Sequence, residues 1–161
     1  MPAVITTRPA RLALVLASLW LAAGLRFYRL DAQSFWNDEG NSARLSERPA
    51  SLIIAGTASD IHPPLYYLLL AGWRGLAGAS EFGLRAFSAL AGVGLVAVTL
   101  ALGRQLARAA GLGAGLPLLA GLLAAANPAL VYYSQEARMY ALLALEAADA
   151  SWLLLAHLAG R

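Results

Sequence analysis

The chain has 161 residues, 60% of them hydrophobic and only 13% charged. A water-solvated domain carries about 25% charged residues, so the composition excludes an ordinary soluble fold and points to lipid as the solvent. All 12 basic residues are arginines, and they sit largely at the ends of apolar runs rather than in a basic patch, which argues against nucleic acid as a partner; the lack of cysteine excludes disulfides and thiolate metal sites.

The apolar runs predict an all-α fold. It is a polytopic transmembrane bundle with spans near 12–25, 82–102, 112–131 and 139–158, and an external interfacial helix within the loop 31–80. Arg8 and Arg11 precede the first run in the manner of a signal peptide. Arg26-Phe27-Tyr28-Arg29 follows it with no small-x-small cleavage site, so an uncleaved anchor is expected. Next comes Ser34-Phe35-Trp36-Asn37-Asp38-Glu39-Gly40. Adjacent carboxylates at a membrane surface can bind a divalent cation or take a proton from an acceptor hydroxyl. Asn37 or Asp38 can equally start a helix whose positive end Glu39 favours. Both readings stand, because a capping carboxylate keeps a free oxygen.

Asp60-Ile61-His62-Pro63-Pro64-Leu65-Tyr66-Tyr67 places a histidine at the mouth of a helix begun by proline, where the missing N–H has no partner to lose. A stiff turn with a solvated histidine is the plain alternative. The stretch Pro64–Ala79 has 16 residues, against the roughly 20 needed to cross. Arg74 sits past its middle, where insertion costs about 2.5–3.5 kcal/mol. The segment is therefore expected to lie in the interface, with Tyr66, Tyr67 and Trp73 at headgroup depth. Arg104 and Arg108 separate the second span from the third. Asn127-Pro128 is expected to break or kink that third helix. Tyr133-Ser134-Gln135-Glu136-Ala137-Arg138-Met139-Tyr140 then offers a guanidinium suited to phosphate or pyrophosphate, with the aromatic belt and an interfacial ion pair as the alternative. The last span carries Glu146 and Asp149, three apart on one face. Each costs up to about 3 kcal/mol at mid-bilayer, so both are expected to pack against further helices or water.

With Pro64–Ala79 out of the membrane, the positive-inside tendency orients the rest. The N-terminus, Arg104 and Arg108 are cytoplasmic. Asp38, Glu39, His62, Arg85, Glu136 and Arg138 then share the outer face of a multi-pass protein of the cell (inner or plasma) membrane.

In order and spacing, Asn37-Asp38-Glu39, His62-Pro63-Pro64-Leu65-Tyr66-Tyr67, Leu84-Arg85-Ala86-Phe87-Ser88-Ala89-Leu90 and the Tyr133–Tyr140 stretch resemble the GT-C glycosyltransferases. They resemble in particular the bacterial dolichyl-phosphate-mannose protein mannosyltransferases (glycosyltransferase family 39), over roughly Leu12–Leu158. The resemblance implies the N-terminal part of a GT-C fold. It implies transfer of a sugar from a polyprenyl-phosphate donor to a lipid, glycan or protein acceptor. Asp38 would be the catalytic acid residue with Glu39 beside it, and Glu136 a second acidic site. His62, Arg85, Arg138, Tyr133 and Tyr140 would bind donor and phosphate, with Arg85 and Arg138 either holding the phosphate or shaping the site. Metal use differs across the superfamily and stays open, a divalent cation included. Family members run to several hundred residues, so a fragment is expected. Two rivals remain. A transporter or channel fragment using Glu146 and Asp149 predicts polar residues mid-membrane in several spans, yet the second and third have none. A non-catalytic scaffold subunit makes no demand that the motifs share one face.

Overall fold

The computed structural model describes residues 7–58, 62–113 and 115–159, and every regular element among them is a helix. Asp60-Ile61 and Arg161 lie outside these residues. The order is α1 (Arg8–Phe27), α2 (Asn37–Leu45), α3 (Ala50–Thr57), α4 (Leu65–Ala77), α5 (Glu81–Ala109), α6 (Gly115–Ala126), α7 (Pro128–Ser134) and α8 (Tyr140–Ala159). Three helices, α1, α5 and α8, are long and apolar enough to cross a membrane, and the bent pair α6–α7 makes a fourth if it counts as one span. The exposed faces agree. Trp20 is 76% exposed, and Leu12, Leu16, Leu143, Leu153, Leu154 and Leu158 lie open on the outside of α1 and α8. Water would penalise so large an apolar surface, whereas lipid does not. The chain is a membrane protein with a helical bundle at its centre.

Helix α5 is the axis, packed by α1, α6, α7 and α8 and touched at its start by α4. Ser80 caps it, its hydroxyl accepting from Gly83 N at 3.0 Å, with Glu81 in the first turn. Where neighbours press closest, α5 presents small residues. A Cβ on Gly92 would lie 2.6 Å from Arg26 Nε, and one on Gly103 would lie 2.9 Å from Pro117 Cα. Helices in lipid gain their association from such close packing rather than from hydrophobic exclusion. Against α5, α1 lays Ser18, Ala22 and Arg26, one residue per turn and all buried.

Helix α6 has 12 residues, a rise of about 18 Å, against a hydrocarbon core of about 30 Å. It ends at Asn127-Pro128, and α7 departs at 56°. Proline removes one helical N–H, and the Asn127 side chain takes the next two, from Ala129 N and Leu130 N. The expected break is thus observed.

Helices α2, α3 and α4 fill the loop between the first two spans, at the end of the bundle where α5 and α8 begin (the loop end). Helix α4 is 13 residues long and does not qualify as a span. Its arginine is matched: Arg74 meets Glu47 at 2.9 Å and donates to Ala43 O. One expectation needs correction. Tyr66 and Tyr67 are not at an interfacial surface but 3% and 2% exposed, packed with Ile53, Leu70, Leu84 and Ala137. Helices α2 and α3 supply enough cover to turn that face of α4 into core. Trp73 is half-buried, its indole N–H donating to Gly83 O at 2.8 Å.

Candidate functional site

The short helix α2 positions the acidic pair. Glu39 is its third residue and reaches back to accept from Trp36 N at 3.4 Å, half of a capping box. The same carboxylate is 1% exposed and meets Arg85 through two hydrogen bonds, Nε to Oε1 at 2.8 Å and Nη2 to Oε2 at 2.7 Å. Its Oε1 also accepts from Ala137 N at 2.8 Å. One carboxylate therefore ties together the α2 segment, the Leu84–Leu90 segment and the Glu136-Ala137-Arg138 segment. Such a two-pronged, fully hydrogen-bonded ion pair is the arrangement that burial of charge requires.

Two assignments change as a result. Glu39 was expected beside the catalytic residue, yet all its oxygens face protein donors, and it acts as a structural tie. Arg85 was expected to hold donor phosphate or to shape the site, and its contacts match the second role. Its remaining N–H groups donate to Leu30 O, Gln33 O and Ser34 O, so all five are engaged and none is left for a ligand. It also lies over the Phe35 ring at 5.3 Å.

Asp38, one position earlier, points elsewhere. It is 38% exposed and lies 3.4 Å from Arg138 Nη2. Arg138 also donates from Nη2 to the Tyr140 hydroxyl at 3.4 Å and covers that ring at 5.5 Å. Tyr133 stacks on Tyr140 with centroids 4.8 Å apart. Arg138 differs from Arg85 in its donors: Nε is buried without a partner and Nη1 makes no hydrogen bond among the described residues. The backbone is braced from behind, since Ser88 Oγ donates to Arg138 O at 3.1 Å. With the Ser88 proton so directed, the Tyr66 hydroxyl is the donor in its 3.4 Å bond to Ser88, and burial holds its pKa well above the ordinary range.

Glu136 is 7% exposed. Burial raises its pKa above the usual carboxylate value, with the charges of Glu39 and Asp38 adding to the effect, while the Tyr132 hydroxyl and Arg138 oppose it. It lines a cleft of about 640 Å³ with Tyr28, Arg29, Trp36, Tyr132 and Gln135. Arg29 at the rim holds φ +50°, a left-handed conformation that costs a non-glycine residue about 1 kcal/mol or more. His62 stands half-buried just ahead of α4. The structure thus brings Asp38, Glu136, Arg138, Tyr133 and Tyr140 to one end of the bundle. It places Glu39 and Arg85 beneath them.

For a divalent cation, the adjacent pair does not fit. Glu39 is saturated by donors, so Asp38 and Glu39 cannot present oxygens to one ion. No group of three or more His, Cys, Asp or Glu gathers among the described residues.

Two residues that the sequence did not single out hold the site's floor. Arg26, fully buried, donates to Ala124 O, Ala125 O and Ser134 Oγ. Gln135 Nε2 donates in return to Leu25 O and Tyr28 O at the end of α1. The signal for Arg26 was available: an arginine ending a span, and an Asn-Pro break leaving carbonyls to be met.

No family model, curated protein or solved structure matches the chain.

Proposed function

We propose that the chain is the N-terminal, site-bearing part of a GT-C-type membrane glycosyltransferase that uses a polyprenyl-phosphate sugar donor at the face of the loop end. The observation that carries the reading is the contrast between the two arginines. Arg85 is satisfied by protein, whereas Arg138 sits beside a half-exposed carboxylate with donors unassigned. A phosphate leaving group needs such a cation, and an acceptor hydroxyl needs such a base. In this reading Asp38 takes the acceptor's proton as its oxygen bonds the anomeric carbon. The bond from that carbon to the lipid phosphate breaks, and the phosphate leaves with the electron pair beside Arg138. Tyr133 and Tyr140 give an aromatic wall, and the Glu136 cleft borders the site. The cell membrane, an outer location for this face and a cytoplasmic N-terminus belong to the same proposal.

The test is binding of radiolabelled polyprenyl-phosphomannose to the protein in lipid nanodiscs. Arg138→Ala should weaken binding by about 1.5–3 kcal/mol, roughly ten- to a hundredfold, and Arg138→Lys by less, since it keeps charge without the planar fork. Asp38→Asn should leave donor binding largely intact while abolishing transfer wherever transfer is measured. Equal affinity of wild type, Lys and Ala forms would remove Arg138 from the site and with it the reading.

A further inference from the structure

The far end of the bundle, where α5 and α8 finish, carries a groove that the proposed reaction does not use. It has a volume of about 930 Å³ and lies between the last turns of the two helices. Arg104, Gln105 and Arg108 line it from α5, and Trp152, Leu155 and Leu158 from α8. Arg104 and Arg108 are one turn apart, so their guanidinium stems rise from the same face, and both are exposed. Neither has an ion-pair partner among the described residues. No carboxylate is available nearby in sequence: the stretch 82–135 has none, and α8 has none after Asp149. Arg8 and Arg11 begin α1 and are likewise followed by an uncharged run. Like charges one turn apart repel. Complementing the helix dipole accounts for Arg108 in the last turn but not for Arg104 a turn earlier.

The groove holds a second, independent sign of a ligand. The side-chain carbonyl oxygen of Gln105, a residue of the groove's lining, is buried without a hydrogen-bond partner among the described residues. A buried acceptor left unmet costs about 1–3 kcal/mol, and a donor arriving with a ligand would relieve it. The walls beyond the polar residues are hydrocarbon, with a tryptophan of the kind that favours headgroup depth. The ligand chemistry follows from the parts. Two cations call for a phosphodiester, one unpaired acceptor calls for a hydroxyl on the headgroup, and an apolar trough between transmembrane helices calls for an acyl chain.

We propose that this groove is a binding site for an anionic glycerophospholipid with a hydroxyl-bearing headgroup. Arg104 and Arg108 hold the phosphodiester, Gln105 accepts from the headgroup hydroxyl, and Leu155 and Leu158 lie along an acyl chain. Basic pockets between helices at a membrane surface recognise lipid headgroups by the same physics. The site is at the opposite end of the bundle from Asp38 and Arg138, so its existence does not depend on the glycosyltransferase reading.

The probes are phosphatidylglycerol, phosphatidylcholine and phosphatidylmethanol with identical acyl chains, added to detergent-purified protein and followed by native mass spectrometry. Wild type should prefer phosphatidylglycerol over phosphatidylcholine by at least about tenfold. Arg104→Gln with Arg108→Gln should erase that preference, whereas Arg8→Gln with Arg11→Gln, which removes the same charge away from the groove, should keep it. Gln105→Leu should erase the smaller preference for phosphatidylglycerol over phosphatidylmethanol, which has the charge but no hydroxyl. If the double glutamine variant does not fold, Arg104→Gln alone carries the comparison, because Arg104 lies outside the last turn. Equal loss in both double variants would mean diffuse attraction and would overturn the site. Displacement of the lipid by millimolar inorganic phosphate would make it a free-anion site and overturn the lipid assignment. No preference in the wild type would do the same.

Discussion

Successive residues on an α-helix point about 100° apart, and at Asp38 and Glu39 that angle separates two roles. Glu39 turns into the protein and meets Arg85 and Ala137 N, while Asp38 turns toward Arg138 with more than a third of its surface open. The roles predict opposite sensitivities. Glu39→Gln leaves the Arg85 charge buried without its counter-charge and should cost about 3–5 kcal/mol in thermal or denaturant unfolding in detergent. Asp38→Asn removes only a half-exposed pair and should cost no more than about 1 kcal/mol. A stable Glu39→Gln protein would show that the pair is not what holds the three segments together. From sequence the two carboxylates are indistinguishable, because nothing local says which neighbour will face Arg85; that depends on a partner 46 residues away. Glu136 carries a second prediction. Its raised pKa means the folded protein holds that proton more tightly than the unfolded chain does. Stability is then fully present below the ordinary carboxylate value of 4.5 and falls as pH rises through the folded value. Glu136→Gln has no charge to bury. Its melting temperature should match wild type below pH 4.5 and exceed it increasingly toward pH 7. A gap that shrinks as pH rises would reverse the sign and refute the burial argument.

At the scale of elements, the break between α6 and α7 governs where the site's last segment lands. Pro128 has no N–H for Ala124 O, and the Asn127 cap draws Ala129 N away from Ala125 O. Those two orphaned carbonyls are the ones that receive Arg26. Its Nε goes to Ser134, at the end of α7 and a few residues before Arg138. Gly92 makes room for this junction, since a Cβ there would crowd Arg26 Nε at 2.6 Å and Ser134 Cβ at 2.8 Å. Gly92→Ala should therefore destabilise by about 1–3 kcal/mol, despite alanine's better helix propensity. Gly72→Ala in α4, where nothing lies within 4 Å, should instead stabilise by up to about 1 kcal/mol. If both alanines stabilise, the junction has slack and does not fix Ser134. The kink itself was legible, because Asn-Pro acts locally. The hidden part was its partner: an arginine after an apolar run reads as a topology signal, and only the packing of α1 against α6 reveals that Arg26 faces inward. The burial of Tyr66 and Tyr67 was hidden for a similar reason. A short amphipathic helix looks interfacial until α2 and α3 are known to cover it.

At the scale of the molecule, the proposed orientation rests on the arginines of the short connection between α5 and α6. At the loop end Arg74, Arg85 and Arg138 have acidic partners, while Arg29, Arg44 and Arg48 are exposed without an ion pair among the described residues. At the far end Arg104 and Arg108 have none. The positive-inside tendency counts arginines in short loops near span ends, and the proposed orientation accordingly puts the short connection 103–113 on the cytoplasmic side and α2–α4 on the other. The sequence alone carries this expectation, because charge distribution needs no tertiary knowledge. It also depends on the bent pair α6–α7 crossing completely rather than re-entering on the same side. Single cysteines in this cysteine-free chain separate the alternatives. Leu52→Cys in α3, Leu76→Cys at the end of α4 and Leu112→Cys after α5 alter exposed positions. Tyr132→Cys in α7, also exposed, reports on the bent pair. In intact cells an impermeant thiol reagent should label positions 52, 76 and 132 and spare 112, which should react only after permeabilisation. Labelling of 112 from outside with 52 and 76 protected would invert the protein and move the Asp38–Arg138 face to the cytoplasm. Labelling of 132 on the same side as 112 would make α6–α7 a re-entrant pair. In that case Glu136 and Arg138 could not share a face with Asp38, contrary to the 3.4 Å contact between Asp38 and Arg138.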